Sequence, residues 1–237
     1  MSKSKGIQVD PHEVIDEHGV DPMRLFLLSV TPRGDDMRFS WAETGEMQRR
    51  LNILWNVFRF PLPYMRMDGF EPGLATAIHE EDLVGGAAES GAGGTTLADV
   101  EADLETVDRW LLSRLQAVER EMSERWEDVE QDKALDALLE FVVEDLSRFY
   151  VQVVRERMWE EGDSASKRAA YATYAHVLSE VVALLAPYAP HVADDVYGTL
   201  TGDAGYDTVH MCDWPEPAER WREPALEDGI AVVRAVE

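Results

Sequence analysis

Two stretches concentrate the side chains that could do chemistry. The chain opens Met1-Ser2-Lys3-Ser4-Lys5-Gly6, two ammonium groups set among hydroxyls and closed by a glycine. Such a run offers positive charge and hydrogen-bond donors to an anion. Taken alone it also reads as an ordinary amino terminus. The second stretch holds Arg148, Arg155, Arg157, Lys167 and Arg168, with Trp159 among them, and is the densest basic run after the central linker described below. Arg148 can pair with Glu144 or Asp145 on its own helix. The other four flank a turn at Gly162, where a loop end could meet a partner. Metal chemistry is not indicated. His12, His18, His79, His176, His191 and His210 are scattered, and no two form a pair with a third ligand nearby. Cys212 is the one cysteine, which excludes an intrachain disulfide and a cysteine-rich zinc knuckle.

The elements that must position these residues read as helices joined by short turns. Asp10-Pro11-His12-Glu13 is a helix start, with Asp10 as cap and Pro11 at the first helical position, and Gly19 is its stop. Asp21-Pro22 starts a second helix and Ser40-Trp41-Ala42-Glu43 a third. That third helix carries Met47, Leu51, Leu54, Trp55 and Phe58 at three- and four-residue spacing. Pro61 and Pro63 kink or end it. Residues 80–108 contain nine acidic residues and no basic one, and Gly85-Gly86 and Ser90-Gly91-Ala92-Gly93-Gly94 fall inside them. Residues 83–98 are therefore expected to be a mobile linker or surface insertion. Three long helices should follow, at 104–125, 132–161 and 165–186, then a shorter one at 190–200. The second of these presents Leu135, Leu138, Leu139, Val142, Val143, Leu146 and Val153 as its apolar face. Residues after Gly202 are rich in turn formers, with an extended stretch expected near Thr208–Met211. No repeat and no sustained alternation is present, so the fold class is all-α, an antiparallel helical bundle.

Composition narrows the setting. Hydrophobic residues make up 45% of 237, enough for a substantial core. No apolar run approaches the roughly 20 residues that span a bilayer. The absence of a secretory signal and the single cysteine point to a reducing cytoplasm. Acidic residues number 47 against 22 basic ones, for a net charge of −25, and only four of the basic residues are lysine. The acid is spread along the whole chain, which argues for adaptation to molar salt, where the Debye length falls to about 3 Å and surface repulsion is screened.

The opening motif is followed by Gly19-Val20-Asp21-Pro22-Met23-Arg24-Leu25-Phe26-Leu27-Leu28-Ser29. Then come Met37-Arg38-Phe39-Ser40-Trp41, the run Leu51 to Phe60 (LNILWNVFRF), Asp108 to Leu115 (DRWLLSRL), Glu140 to Trp159 (EFVVEDLSRFYVQVVRERMW), Leu184 to Tyr197 (LLAPYAPHVADDVY) and Val209 to Pro215 (VHMCDWP). In this order they resemble the carboxyl-side part of a class I aminoacyl-tRNA synthetase, from its ATP-signature loop through its anticodon-binding helices. Valyl, leucyl and isoleucyl enzymes share the architecture. The Arg-Phe-Ser-Trp, Trp-Asn-Val-Phe-Arg-Phe and Val-Val-Arg-Glu-Arg-Met-Trp elements look most like the isoleucyl type, with valyl as the competitor. Two departures stand out. The family loop has a lysine before the position of Met1, which suggests that the chain begins inside the motif. Ile7 also stands where the family usually has asparagine.

The resemblance implies residues 1–40 as ATP loop and stem-contact helices, 41–201 as the anticodon-binding bundle interrupted by the acidic linker, and 202–237 as an extended, turn-rich extension. It implies Met1, Ser2, Lys3 and Ser4 as ATP-binding residues, with Lys3 in the catalytic role of steadying charge on the leaving phosphates. Lys5 is a weaker candidate. ATP with Mg and isoleucine would be substrates of the complete enzyme, with no metal site in this part. Isoleucine tRNAs would be the partner, bound by a monomer. An anticodon loop presents unstacked bases to aromatic and arginine planes. Arg59, Arg155, Arg157, Trp159, Lys167 and Arg168 are the candidate contacts, with Trp55, Asn56 and Arg148 behind them. The nucleotide-binding sheet, its paired-histidine turn and the editing domain have no counterpart in these 237 residues, so adenylate formation is not expected of this chain alone. A tRNA-binding module without catalysis and a purely structural bundle are the competing readings.

Overall fold

The computed structural model describes residues 9–29, 38–73, 94–202 and 206–236. The two amino-proximal helices start and stop as the capping residues dictate. In α1 (Pro11–His18) the Asp10 carboxylate accepts from the His12 amide at 2.9 Å, and Gly19, at φ +92°, closes the last turn onto Ile15. That left-handed φ is open to glycine and costly for a side chain. In α2 (Val20–Ser29) Leu25 and Phe26 are buried. Ser40 caps α3 (Trp41–Arg59) through the Glu43 amide, and Met47, Leu51, Leu54, Val57 and Phe58 face inward. Pro61 ends that helix and α4 (Leu62–Met67) follows at once.

The body is an antiparallel bundle built on α5 (Thr106–Glu127), the rod Gln131–Trp159 and α8 (Ala165–Leu185). Helix α9 (Pro190–Thr201) folds back on α8. Helices α5 and α8 pack on each other and α2 lies against the start of the rod. Four buried tyrosines tie the layers together, because a buried hydroxyl needs a partner. Tyr150 donates to Asp108 at 2.7 Å, Tyr171 to Asp68 at 2.7 Å, Tyr174 to the Val57 carbonyl at 2.9 Å and Tyr188 to the Gln131 carbonyl at 3.0 Å. Long-range polar bonds also fasten α2 to the far end of the bundle. Asp21 accepts from the Val192 amide at 2.7 Å, and Arg24 donates to the carbonyls of Pro187 at 2.8 Å and Tyr188 at 3.2 Å. Among the described residues there is one isolated β-bridge, Pro72 to Thr95, and no strand, and no helix is long and apolar enough to cross a membrane.

Three expectations need correction. The rod is not a uniform α-helix. It runs as α6 (Gln131–Glu140), a π-helical stretch Phe141–Tyr150 and α7 (Val151–Trp159). Bonds from i to i+5 widen the turn, so the inward stripe slips by one residue. Leu146, Tyr150, Val154 and Met158 are buried, while Val153, expected on the apolar face, is 46% exposed. Second, the described part of the carboxyl extension, residues 206–236, is largely built of helical turns and a helix. The stretch expected near Thr208–Met211 is a 3-10 turn at Val209–Met211, held by Asp194, which accepts from the Thr208 hydroxyl at 2.6 Å and the Val209 amide at 3.0 Å. A further 3-10 turn, Glu219–Trp221, leads into α10 (Pro224–Val236), which packs on α5, sets Leu226 and Ile230 against the core, and pairs Arg234 with Asp145 of the π-helical stretch at 2.6 Å. Third, the carboxyl end of the expected linker is structured. Thr95 bridges to Pro72, Leu97 is buried, and Ala98–Asp103 is a 3-10 helix. Residues 83–93 lie outside the described residues.

Candidate functional site

The turn around Gly162 is built from a buried lysine and a largely buried arginine. Asp108, fully buried at the start of α5, accepts from the Arg157 guanidinium at 3.1 and 2.9 Å as well as from Tyr150. Arg157 also donates to the Ser166 carbonyl at 2.6 Å, which pins the start of α8 against the end of α7. Ser164 caps α8 through the Lys167 amide. The Lys167 ammonium is buried and points back to Asp68 at 2.5 Å and the Glu160 carbonyl at 2.9 Å. Lys167 and Tyr171 together hold the Asp68 carboxyl below the usual carboxylate range. Arg157 and Lys167, expected to meet RNA, thus spend their charge inside the fold, where it closes the α7–α8 turn.

The other expected residues reach solvent. Trp159 is 53% exposed at the end of α7. The Arg155 guanidinium lies 5.5 Å from its ring centroid and has no carboxylate partner among the described residues. Behind Trp159 an aromatic ladder runs into the core. Its ring is 6.4 Å from Tyr64, Tyr64 is 5.9 Å from Phe60, and Phe60 is 6.1 Å from the buried Tyr174. An exposed ring backed in this way is positioned for stacking by the core and not by solvent. Arg59 is exposed at the end of α3, and Arg66 is exposed on α4 two residues from Tyr64. Arg168 is less free, being paired with Asp163 at 3.1 Å and lying 6.0 Å from the Phe70 ring. Trp55 is half-buried against Phe58, and Arg148 is paired with Glu144 at 2.5 Å on its own helix, as its spacing suggested. Sequence reasoning missed Tyr64 and Arg66. The signal was present in Pro63-Tyr64-Met65-Arg66-Met67, an aromatic and an arginine just past a helix end.

Met1, Ser2, Lys3, Ser4 and Lys5 lie outside the described residues. Among the described residues no group of three His, Cys, Asp or Glu side chains could hold a metal ion.

An exposed ring flanked by arginines on an all-α bundle is the arrangement on which an unstacked base could lie. Residues 108–237 match the family described as the anticodon-binding domain of tRNA ligase, and the chain belongs to that family. Residues 1–40 match the class I tRNA synthetases of the I, L, M and V types. The chain is 65% identical over all of its 237 residues to the isoleucine–tRNA ligase of Halobacterium salinarum, covering 21% of that protein. It is 63% identical over its full length to the isoleucine–tRNA ligase of Haloarcula marismortui and 45% identical to that of Haloquadratum walsbyi, covering 20% of each. The chain thus spans about a fifth of the length of the curated relatives it matches. In fold it is similar to the LeuRS of Agrobacterium radiobacter K84 solved in a ternary complex with tRNA and LeuAMS, with a TM-score of 0.62, 21% identity, and coverage of 94% of this chain and 23% of that one.

Proposed function

We propose that this chain supplies the ATP-signature loop and the anticodon-binding bundle of an isoleucine–tRNA ligase working in concentrated salt. The reading is carried by full-length identity of 65% to such a ligase, joined to an outward Tyr64–Trp159–Arg155 stack on a strongly acidic protein. Residues 1–40 contribute the loop and stem-contact helices, and the bundle from residue 41 onward steers the tRNA. In the complete enzyme ATP with Mg and isoleucine are the substrates, and Lys3, flanked by Met1, Ser2 and Ser4, faces the phosphates. The protein acts as a cytoplasmic monomer. On the bundle, Arg155, Trp159, Tyr64, Arg59 and Arg66 form the RNA-facing set, with Arg168 at its edge.

Filter binding of isoleucine and valine tRNAs to the chain in molar KCl tests this reading. A preference for the isoleucine tRNAs is expected. A preference for the valine tRNAs would favour the valyl type, equal affinity a non-discriminating module, and no binding to either a structural bundle. Affinity should change little between about 1 and 3 M KCl, because counterion release is largely spent there and stacking carries the binding. Trp159→Ala should weaken tRNA binding by about 1–3 kcal/mol, the range for one base–aromatic stack. Its unfolding midpoint should stay close to that of the parent, since half the ring is already in solvent. Unchanged tRNA affinity in that variant would remove Trp159 from the interface.

The Asp68–Lys167 pair makes a separate prediction. Asp68 titrates below its ordinary value of 3.8 in the folded chain. It therefore favours the fold at pH above that ordinary value, and the contribution is lost as pH falls through the lowered one. Lys167→Met should flatten the acid limb of the stability curve. An acid limb identical to the parent's would show that the pair contributes nothing to acid sensitivity.

A further inference from the structure

A cavity of about 780 Å³ lies between α5, α8 and the segment from Cys212 to Trp221, remote in sequence from the stacking face. Tyr197, Trp214 and Trp221 contribute to its wall, and Glu119 of α5 and Glu180 of α8 supply carboxyl groups. Glu119 is only 1% exposed. Its carboxyl hydrogen-bonds Gln116, whose own carbonyl oxygen is taken by the Ala218 amide. Among the described residues the ion-pair neighbour of Glu180 is the His176 ring, 3.9 Å away. Burial pushes that imidazole down to about 4, so it is neutral and offers Glu180 no charge. Burial and the neighbouring Glu180 push the Glu119 carboxyl up to about 9, and burial pushes Glu180 to about 7. The third wall brings Cys212, Asp213, Glu216 and Arg220, and Arg220 is exposed and stacked on Trp221 at 4.8 Å. The buried Glu119 carboxyl and the nearly buried Glu180 carboxyl thus line a roomy cavity, and among the described residues no lysine or arginine pairs with either.

A bare metal ion is a poor match. Among the described residues no three carboxylate, imidazole or thiol groups converge, and the volume is that of a small-molecule pocket. Indole and phenol rings beside carboxylates are the surroundings that an organic cation prefers, because the ring quadrupole adds to the charge attraction.

We propose that this cavity binds a small organic ammonium ion, held by the carboxylates of Glu119 and Glu180 against the aromatic wall of Tyr197, Trp214 and Trp221. The site is independent of the tRNA reading. At about pH 8, where Glu180 is largely ionised, seating the cation requires the Glu119 carboxyl to give up its proton, so one ammonium enters as one proton leaves; binding weakens as pH falls and Glu180 also takes up a proton. The test is calorimetric titration of 1,4-diaminobutane into the chain in molar KCl, in two buffers of different ionisation enthalpy. Saturable binding with a buffer-dependent heat that reports proton release is expected, and Glu119→Gln should weaken it by at least about tenfold. Glu180→Gln, at the more open side of the cavity, should weaken it also, and it decides the matter if Glu119→Gln does not fold. The uncharged butane-1,4-diol should not bind. Absence of saturable binding, unchanged binding in both variants, or equal binding of the diol would overturn the proposal.

Discussion

Lys3→Ala, introduced into a ligase that carries the catalytic half as well, is expected to lower ATP–pyrophosphate exchange by roughly 10²–10³-fold, the cost of removing one preorganised charge from a transition state. The amino-acid carboxylate that attacks the α-phosphorus is already ionised at neutral pH, so no general base is required. What develops is negative charge on the departing pyrophosphate, and a lysine in a hydroxyl-rich loop is a point charge suited to meet it. The affinity for isoleucine tRNA should be unchanged, because the stacking face is built from α3, α4 and α7. Lys5→Ala should cost much less. Normal exchange in Lys3→Ala would refute the assignment of the loop, and a parallel loss of tRNA affinity would mean that the substitution disturbs more than the phosphates.

The second large effect is on stability. Arg157→Leu is expected to destabilise the fold by about 3–5 kcal/mol, the range for stripping one partner from a buried charge pair. Asp108 is fully buried, and after the substitution it retains only the Tyr150 hydroxyl and the Glu105 amide. The Ser166 carbonyl at the start of α8 loses its donor as well. Arg148→Ala is the control. Its pair with Glu144 is exposed, 68% and 40% for the two side chains, and its removal should cost well under about 1 kcal/mol. Urea unfolding at constant KCl measures both. A loss in Arg157→Leu no larger than in Arg148→Ala would free Arg157 for an RNA-facing role.

Arg157 and Lys167 show where sequence reading stops. Both stand in the right stretch and near the right turn, and their chemistry is right for RNA. Their partners lie 49 residues away for Arg157 and Asp108, and 99 away for Lys167 and Asp68, counting from one position to the other. Nothing local announces those pairs. Trp159 and Arg155 stand four residues apart on one helix, and no distant carboxylate claims Arg155 among the described residues. Helix starts at Asp10, Ser40 and Ser164 were legible, since a cap acts within one turn. Helix α10 was hidden by Pro224 and Gly229, which read as turn formers, although proline suits a first helical turn and Leu226 and Ile230 keep helical spacing. The π stretch is invisible to periodicity, because a stripe drawn at an assumed 3.6-residue repeat cannot report a change of repeat.

That widened stretch has a consequence for how this polypeptide can vary. Each residue advances a regular helix by about 100°, so gaining one residue between Phe141 and Tyr150 without further widening would swing everything downstream by that angle. Arg157 would leave Asp108, and Trp159 would leave Tyr64. The segment behaves as a gear whose tooth count is set while its outer teeth are replaceable: exchanges at Glu144 or Arg148 are tolerable, and such an insertion is not.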